Sequence, residues 1–365
     1  MTTATDNPQV LAETAEKATA ISRCDGCGAR LLFHPEKDCL NCQHCGSDKR
    51  LFPKLAKKLP IMWMDVKNNH WKDVHAFRCN SCGAKEVLSR EEIAKSCAFC
   101  GTTNVVAVEE LCGLRPNALL PFKITKQTAI QRFLAWAKKK FFAPQKFKKY
   151  VEPKEVDGVY NPAFTFDTQT ITRYSGRLAK TRTVVTFING KPVTKVITEY
   201  FTIRGEYHDN FSDITIRASE TLQQRDLDRI QPYGMDKSRE YDSNYLHGFV
   251  ANQYSKTGQA CWMDAKGIID KNIERGIAQK YSDGTIVSLE TRTSYNNILF
   301  RYILLPVYVG HCKFKNKLFQ FFVNGENGKV TGKTPVSAIK VFGVVLGSLI
   351  LLGGIGALIY FFGIR

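Results

Sequence analysis

"NGENGKVTGKTP", residues 324–335, decides between two folds. As a phosphate-binding loop it would require a glycine, four intervening residues and then Gly-Lys-Ser/Thr, so that successive backbone N–H groups close around the phosphates. Counting back from Gly332-Lys333-Thr334, the position that needs glycine holds Asn327, and Gly328 comes one residue too late. Pro335 stands where the helix of such a loop would begin. The competing reading is a hairpin over "FQFFVNGENGKVTG" (319–332), with Asn-Gly pairs at the backbone positions that need positive φ. The hairpin is the reading that fits, and it places the segment in a β-rich domain.

The residues C-terminal to this stretch support the hairpin. From Val341 to Phe362 there are 22 residues without a charge. As a helix they span ~33 Å, enough to cross a hydrocarbon core. The sequence therefore predicts a single transmembrane helix over 337–363. Lys333 and Lys340 precede it and only Arg365 follows, so the positive-inside tendency predicts a cytoplasmic-membrane protein whose N-terminal bulk is cytosolic. The N-terminus lacks a basic and apolar signal segment, and residues 1–20 read as a disordered tail. Net charge is +18 among 365 residues, which favours anionic partners: nucleic acid, acidic protein or anionic lipid.

Eight of the twelve cysteines form two matching sets. Cys24, Cys27, Cys42 and Cys45 recur as Cys79, Cys82, Cys97 and Cys100, each 55 positions later. The neighbours repeat as well: "CDGCGAR" matches "CNSCGAK", and "CQHCGS" matches "CAFCGT". Two residues between thiolates let one tight turn aim both sulfurs at a single ion, and the glycine after each pair (Gly28, Gly46, Gly83, Gly101) permits the turn. Four thiolates at ~2.3 Å close a tetrahedral structural site, so two Zn2+ ions are expected, one each in ribbons at 21–50 and 79–110. Modules this small depend on the metal for much of their folding free energy. Cys39-x2-Cys42 is an alternative pair, but the residue 55 positions after Cys39 is Ala94, so the repeat selects Cys42 and Cys45. Cys39, Cys112, Cys261 and Cys312 read as ordinary buried thiols, and His34 and His44 as surface residues.

Residues 51–78 read as a linker with short strands, "LPIMWMD" and "VHAFR", and "TTNVVAVEE" as a further strand. From Leu111 to Val151 there are ten Lys/Arg and no acid. Within that basic segment (111–154) an amphipathic helix is expected with Thr125 as N-cap and Ile130, Phe133, Leu134, Ala137 and Phe141 on its apolar face. Lys126, Arg132, Lys138, Lys139, Lys140, Lys146, Lys148 and Lys149 are the candidate residues for binding an anionic partner. Residues 155–332 read as an α+β domain. "GVYNPAFTFDTQTITRYSGR" starts it as a strand, a hairpin turns at Asn189-Gly190, and a helical insert covers 213–230, 244–255 and 264–281. "VYNPAFTF" and "ILLPVYVG" echo each other, which suggests two related sheet halves, their prolines at edges or bulges. Asp209, Asp213 and His208 are the best carboxylate–imidazole cluster, but "EYHDNFSD" reads as a polar loop.

The tandem CxxCGA…CxxCG ribbons, "LLPFKITKQTAIQRFLAWAKKKFFAP", "GVYNPAFTFD" and "LLPVYVGHCKFKNKLFQFFVNGENGKVTGKTPVS" resemble bacterial zinc-ribbon membrane proteins over most of the chain from Cys24 onward. That family is described by likeness to the ribbon of transcription factor IIB and is sometimes labelled as related to the primosomal replication-restart helicase. The resemblance implies structural zinc. The function expected is that of a non-enzymatic, membrane-anchored binding or adaptor module at the cytosolic face, with protein as partner in preference to nucleic acid. The alternatives are a DNA- or RNA-binding protein of replication or transcription and a helicase-like enzyme, the latter without an intact phosphate loop. Gly343-x3-Gly347 and Gly353, Gly354 and Gly356 offer small faces for homodimerisation of the terminal helix.

Overall fold

The computed structural model describes residues 23–65, 74–82, 84–89, 97–98, 102, 105–108, 114–188, 191–315 and 317–363. The expected N-terminal tail, Gly83, Cys100, Gly101, Cys112 and the Asn189-Gly190 turn lie outside the described residues.

Strands β1 (Leu31–His34), β2 (Cys39–Cys42) and β3 (Asp48–Arg50) form a small antiparallel sheet of their own. The two-residue β4 (Leu59–Pro60) gives way to a 3-10 turn over Ile61–Asp65, where a longer strand was expected. The turn carries Met64 into a cluster with Phe164 and Phe166, contacts that a straight strand would spread over both faces. β5 (Val74–Cys79) pairs antiparallel with both β6 (Lys85–Ser89) and β7 (Val105–Val108). Next come β8 (Ala118–Leu119), α1 (Lys126–Lys139), α2 (Gln145–Tyr150) and a long hairpin of β9 (Pro153–Ile188) and β10 (Lys191–Arg217). The chain continues through α3 (Gln224–Ile230), β11 (Arg239–Glu240), β12 (Val250–Asn252) and α4 (Gly258–Lys280). It returns to sheet with β13 (Thr285–Phe314), β14 (Lys317–Asn324) and β15 (Val330–Gly332), and ends in α5 (Ala338–Gly363). The architecture is α+β: among the described residues there are one large curled sheet of 12 strands, few helices and an apolar C-terminal helix.

The stretch at 324–335 is the hairpin. Asn324 N donates to Lys329 O at 2.8 Å, Gly328 takes φ +76°, and Val323 pairs with Val330. A strand, not a helix, continues the chain after the turn.

The helical insert is smaller than expected. Residues 213–217 finish β10, because "ITI" alternates β-branched side chains that fit a pleated surface. Only Gln224–Ile230 of the first expected stretch is α-helical, and the second is a 3-10 turn (Ser243–Leu246) followed by β12. The third holds. In α4, Cys261, Ala265, Ile269, Ile273 and Ile277 recur every four residues and are all buried, the three isoleucines together with Tyr174. Thr257 caps that helix by accepting from Ala260 N at 3.3 Å.

The proline echo marks an internal two-fold relation. β9 and β13 run antiparallel with Leu304 opposite Pro162 and Pro306 opposite Tyr160. Val159 and Tyr160 pair in parallel with β12, while Ile303 and Leu304 pair in parallel with β8. Pro162 O then accepts from Ala218 N (3.1 Å), and Pro306 O accepts from Gly325 N (2.9 Å). Ala218 O in turn receives Ser255 N and Lys256 N, as Gly325 O receives Lys123 N and Ile124 N. Each proline stands where its strand changes partner, from β12 to β10 or from β8 to β14. A residue without an N–H fits such a break in the ladder, so the prolines sit inside the sheet and not on an edge strand. The threonine caps match too: Thr125 follows Leu119 by the same six residues that separate Thr257 from Ala251.

Candidate metal centre

Each knuckle is built by one local device. Cys24 N donates to Ala29 O (2.8 Å) and Cys42 N to Ser47 O (2.9 Å); Cys79 N donates to Ala84 O and Cys97 N to Thr102 O, both at 2.8 Å. The four turns thus close the same six-residue span. In the first ribbon Gly28 N and Gly46 N bond back to Cys24 O and Cys42 O, with φ of +71° and +74°, a conformation that glycine adopts without a Cβ clash. β1 and β2 bring the two turns together, with Leu31 opposite Cys42, over a core of Leu31, Phe33 and Leu40.

The outcome is a closed sulfur quartet. The Sγ atoms of Cys24, Cys27, Cys42 and Cys45 lie within 4.8 Å of one another. Cys24 Sγ is 3.4 Å from Cys45 Sγ, and Cys27 Sγ is 3.5 Å from Cys42 Sγ. Metal–sulfur bonds of about 2.3 Å in a tetrahedron set sulfur–sulfur edges of about 3.8 Å, so a small adjustment around an ion fits the site as it stands. Cys24 and Cys42 are buried and Cys27 and Cys45 exposed, so an ion reaches the quartet from the solvent side.

Ser47 is a contributor that the cysteine pattern does not name. Its Oγ lies 3.0 Å from Cys24 Sγ and 3.2 Å from Cys45 Sγ. With the Ser47 hydroxyl as the largest cause, the Cys24 thiol is lowered to about 6 and that of Cys45 is also lowered. Cys27 moves the other way, to about 12: the Ala29 amide pulls it down, but desolvation and the neighbouring sulfurs outweigh that. Crowded sulfurs resist joint ionisation, and a shared cation relieves that conflict. A signal for the hydroxyl is present in the repeat, where "CGS" and "CGT" place one directly after each second knuckle.

In the second ribbon Cys79, Cys82 and Cys97 lie within the same 4.8 Å limit, with Cys82 Sγ 3.6 Å from Cys97 Sγ, and Cys100 is outside the described residues. Both clusters can hold a metal ion. Cys39 is buried at the start of β2, outside the quartet, and burial raises its thiol. Cys261 and Cys312 are buried thiols raised by burial to about 12 and about 11. His34 accepts from Lys37 N at 3.3 Å at the β1–β2 turn, and His44 is exposed.

The first ribbon is seated on the large sheet through contacts that no pattern announced. Phe33 N donates to His247 O (3.0 Å), and the Phe33 ring meets that of Tyr245 edge-on at 5.0 Å. Arg239 forks onto both carboxylate oxygens of Asp38 at 2.6 Å.

The eight basic candidates divide. Lys126 lies 3.9 Å from Asp157, and Arg132 packs against the turn at Gly328. Lys138, Lys139, Lys140, Lys146, Lys148 and Lys149 gather at the end of α1 and along α2. Thr125 caps α1 as expected, and Phe133 stacks on Phe321 with centroids 3.6 Å apart. Phe141 departs from expectation. The helix ends at Lys139, and Phe141 is 65% exposed beside Phe142 at 43%.

The carboxylate–imidazole cluster does not converge, and its segment is strand, not loop. His208 faces Glu206 at 3.7 Å, Asp209 meets the Tyr207 hydroxyl at 3.4 Å, and Asp213 sits on a bulge at φ +55°. Asp213 is ion-paired to Arg301 and lies 3.4 Å from Lys58, which also pairs with Asp167. These groups support the sheet.

No family model matches the chain, and no solved structure matches it. The chain is similar to the uncharacterized protein YdjG of Bacillus subtilis (strain 168), 27% identical over 321 residues, which is 87% of this chain and 91% of that protein.

Proposed function

We propose that this protein is a non-enzymatic adaptor, anchored in the cytoplasmic membrane by α5, whose two zinc-ordered ribbons dock a macromolecular partner at the cytosolic face. The observation that carries the reading is the sulfur quartet of Cys24, Cys27, Cys42 and Cys45, gathered around one point. A closed tetrahedron of four thiolates suits a structural zinc ion. Four thiolates leave no position for a water, so the ion would order backbone and activate no reactant.

Anchoring is supported by Ala338–Gly356, a helical span of mean hydropathy 2.2 with none of it buried against the rest of the chain. Lysines on its near side favour a cytosolic body. Protein is preferred to nucleic acid because the aromatics within the basic helix are engaged: Phe133 is stacked on Phe321, and Lys140 Nζ stands 4.2 Å from the Trp136 ring centroid. Kinship with the zinc-ribbon family of the sequence resemblance is part of the same proposal.

The test is crosslinked pull-down from intact membranes, comparing the natural chain with a Cys79→Ser, Cys82→Ser double variant. We expect two zinc ions per natural chain by elemental analysis, one in the variant, and loss of the partner while the variant stays in the membrane fraction. A partner retained in full removes the ribbon from recognition. Micromolar binding to DNA or RNA that weakens steeply with salt transfers the reading to nucleic acid.

A further inference from the structure

The loop between α1 and α2 is fastened to the root of the apolar helix. Ser337 N donates to Phe142 O at 2.9 Å. One turn on, Lys340 Nζ donates to both Phe141 O and Ala143 O at 2.9 Å and lies 5.8 Å from the Phe141 ring centroid. Residues 141–143 therefore sit beside the last charged side chain before the uncharged stretch begins at Val341. Whatever depth the start of α5 has in a bilayer, this loop shares it.

The loop and its neighbours present a surface unusual for one that faces water. Phe141 and Phe142 are exposed and pack edge-on at 5.2 Å, and Tyr150 is 69% exposed. Six lysines lie between positions 138 and 150, with no acid among them. Lys138, Lys139, Lys146 and Lys149 are exposed, and Lys149 Nζ stands 5.3 Å from the Tyr150 ring. None of the six has an acid partner among the described ion pairs, in contrast to Lys126 with Asp157. Aromatic rings flanked by lysines are the composition of a membrane–water interface: the ring bodies sit at headgroup depth and long basic side chains reach anionic headgroups.

We propose that residues 138–150 form an interfacial foot, in which Phe141, Phe142 and Tyr150 seat in the headgroup layer and Lys138, Lys139, Lys146 and Lys149 bind anionic phospholipid. The inference rests on the proposed membrane insertion of α5. It removes these lysines from the surface available to the ribbons' partner and gives the body a second attachment, so that it is held against the bilayer instead of swinging on one helix. A large polyanion would need access to a face that the root of α5 presses toward lipid, whereas the bilayer surface is already there.

The test uses the full chain, with photoreactive benzoylphenylalanine at position 142, 150 or 345, reconstituted into phosphatidylcholine vesicles with or without about 30% phosphatidylglycerol, an anionic fraction high enough to set a negative surface potential. Position 345 lies within the apolar span and reports insertion of α5. We expect lipid adducts at all three positions. At 142 and 150 they should rise several-fold with phosphatidylglycerol and fall several-fold when Lys138, Lys139, Lys146 and Lys149 are replaced by Gln, with zinc content and the adduct at 345 unchanged. Lipid at 345 but none at 142 and 150, or protein adducts at those two positions, overturns the foot and leaves the anchor standing. Adducts at 142 and 150 that ignore both phosphatidylglycerol and the lysine replacements overturn the headgroup assignment. No lipid at 345 defeats the anchor reading, and the foot with it.

Discussion

Replacing Arg301 with Met should destabilise the body of the protein by an amount that can be worked from its partners. Arg301 is 4% exposed, at the centre of β13. Its Nη2 pairs with Asp213, Nη1 donates to Met235 O (2.9 Å) and Ser238 Oγ (2.7 Å), and Nε approaches Thr165 Oγ1 at 3.4 Å. Breaking a buried ion pair from one side costs about 3–5 kcal/mol, chiefly because the other charge is left without its partner. Two features place this case at the low end. Asp213 keeps Lys58 at 3.4 Å, and Met235 O keeps the Ser238 hydroxyl at 2.8 Å. We therefore expect a loss of about 3 kcal/mol. At roughly 2–4 °C per kcal/mol for domains of 150–250 residues, that is a fall in Tm of about 6–12 °C. Scanning calorimetry of the full chain in detergent reads it. Adding Asp213→Asn to Arg301→Met should cost less than the two single changes summed, since the pair between them is already broken by either change alone. A variant that melts within about 1 °C of the natural protein, or above it, would refute the account of Arg301 as the structural clamp of the Asp213 bulge.

Asp38→Ala removes the bidentate hold of Arg239 on the first ribbon. The Phe33 amide, bonded to His247 O, should then exchange with deuterium faster while metal content is unchanged from the natural protein, and unchanged protection would mean that the aromatic contact alone seats the ribbon. Phe133→Ala deletes the ring stacked on Phe321 and should cost about 3–5 kcal/mol in urea unfolding. The Tyr174 hydroxyl is raised to about 12 against an unperturbed 10.0, first by its hydrogen bond to Tyr281 and then by burial. A raised value means that its contribution is whole below pH 10 and is lost as pH climbs toward 12. The stability difference between the natural protein and Tyr174→Phe should accordingly shrink over that window, and a difference constant from about pH 9 to 12 would contradict it.

Local and repeated patterns are legible without coordinates. The four knuckles are short-range objects: a six-residue turn, two sulfurs and, in the first ribbon, a glycine at positive φ. Their 55-residue repeat is therefore visible wherever the chain is read. The α4 stripe, the Thr125 cap, the 319–332 hairpin and the apolar terminal helix are legible for the same reason, since each depends on neighbours within a few residues. "DITIR" reads as the start of a helix and is a strand, because helical and strand patterns overlap in so short a run and the choice falls to pairing with β9. The prolines of the echo are recognisable as a pair, but their position at a change of strand partner depends on β8, β10, β12 and β14 arriving from distant parts of the chain.

The sequence by itself determined the cysteine clusters that can hold a metal ion, the hairpin that replaces a nucleotide loop and the helix fit for a bilayer, because each is set by the order of nearby residues. Only the tertiary structure decided that Arg301 holds Asp213, that Asp38 meets Arg239 across the ribbon seat, and that Phe141 leaves the apolar face of α1 to stand with Lys340 at the root of α5. Those outcomes turn on which remote surfaces come into contact, and no local pattern carries that information.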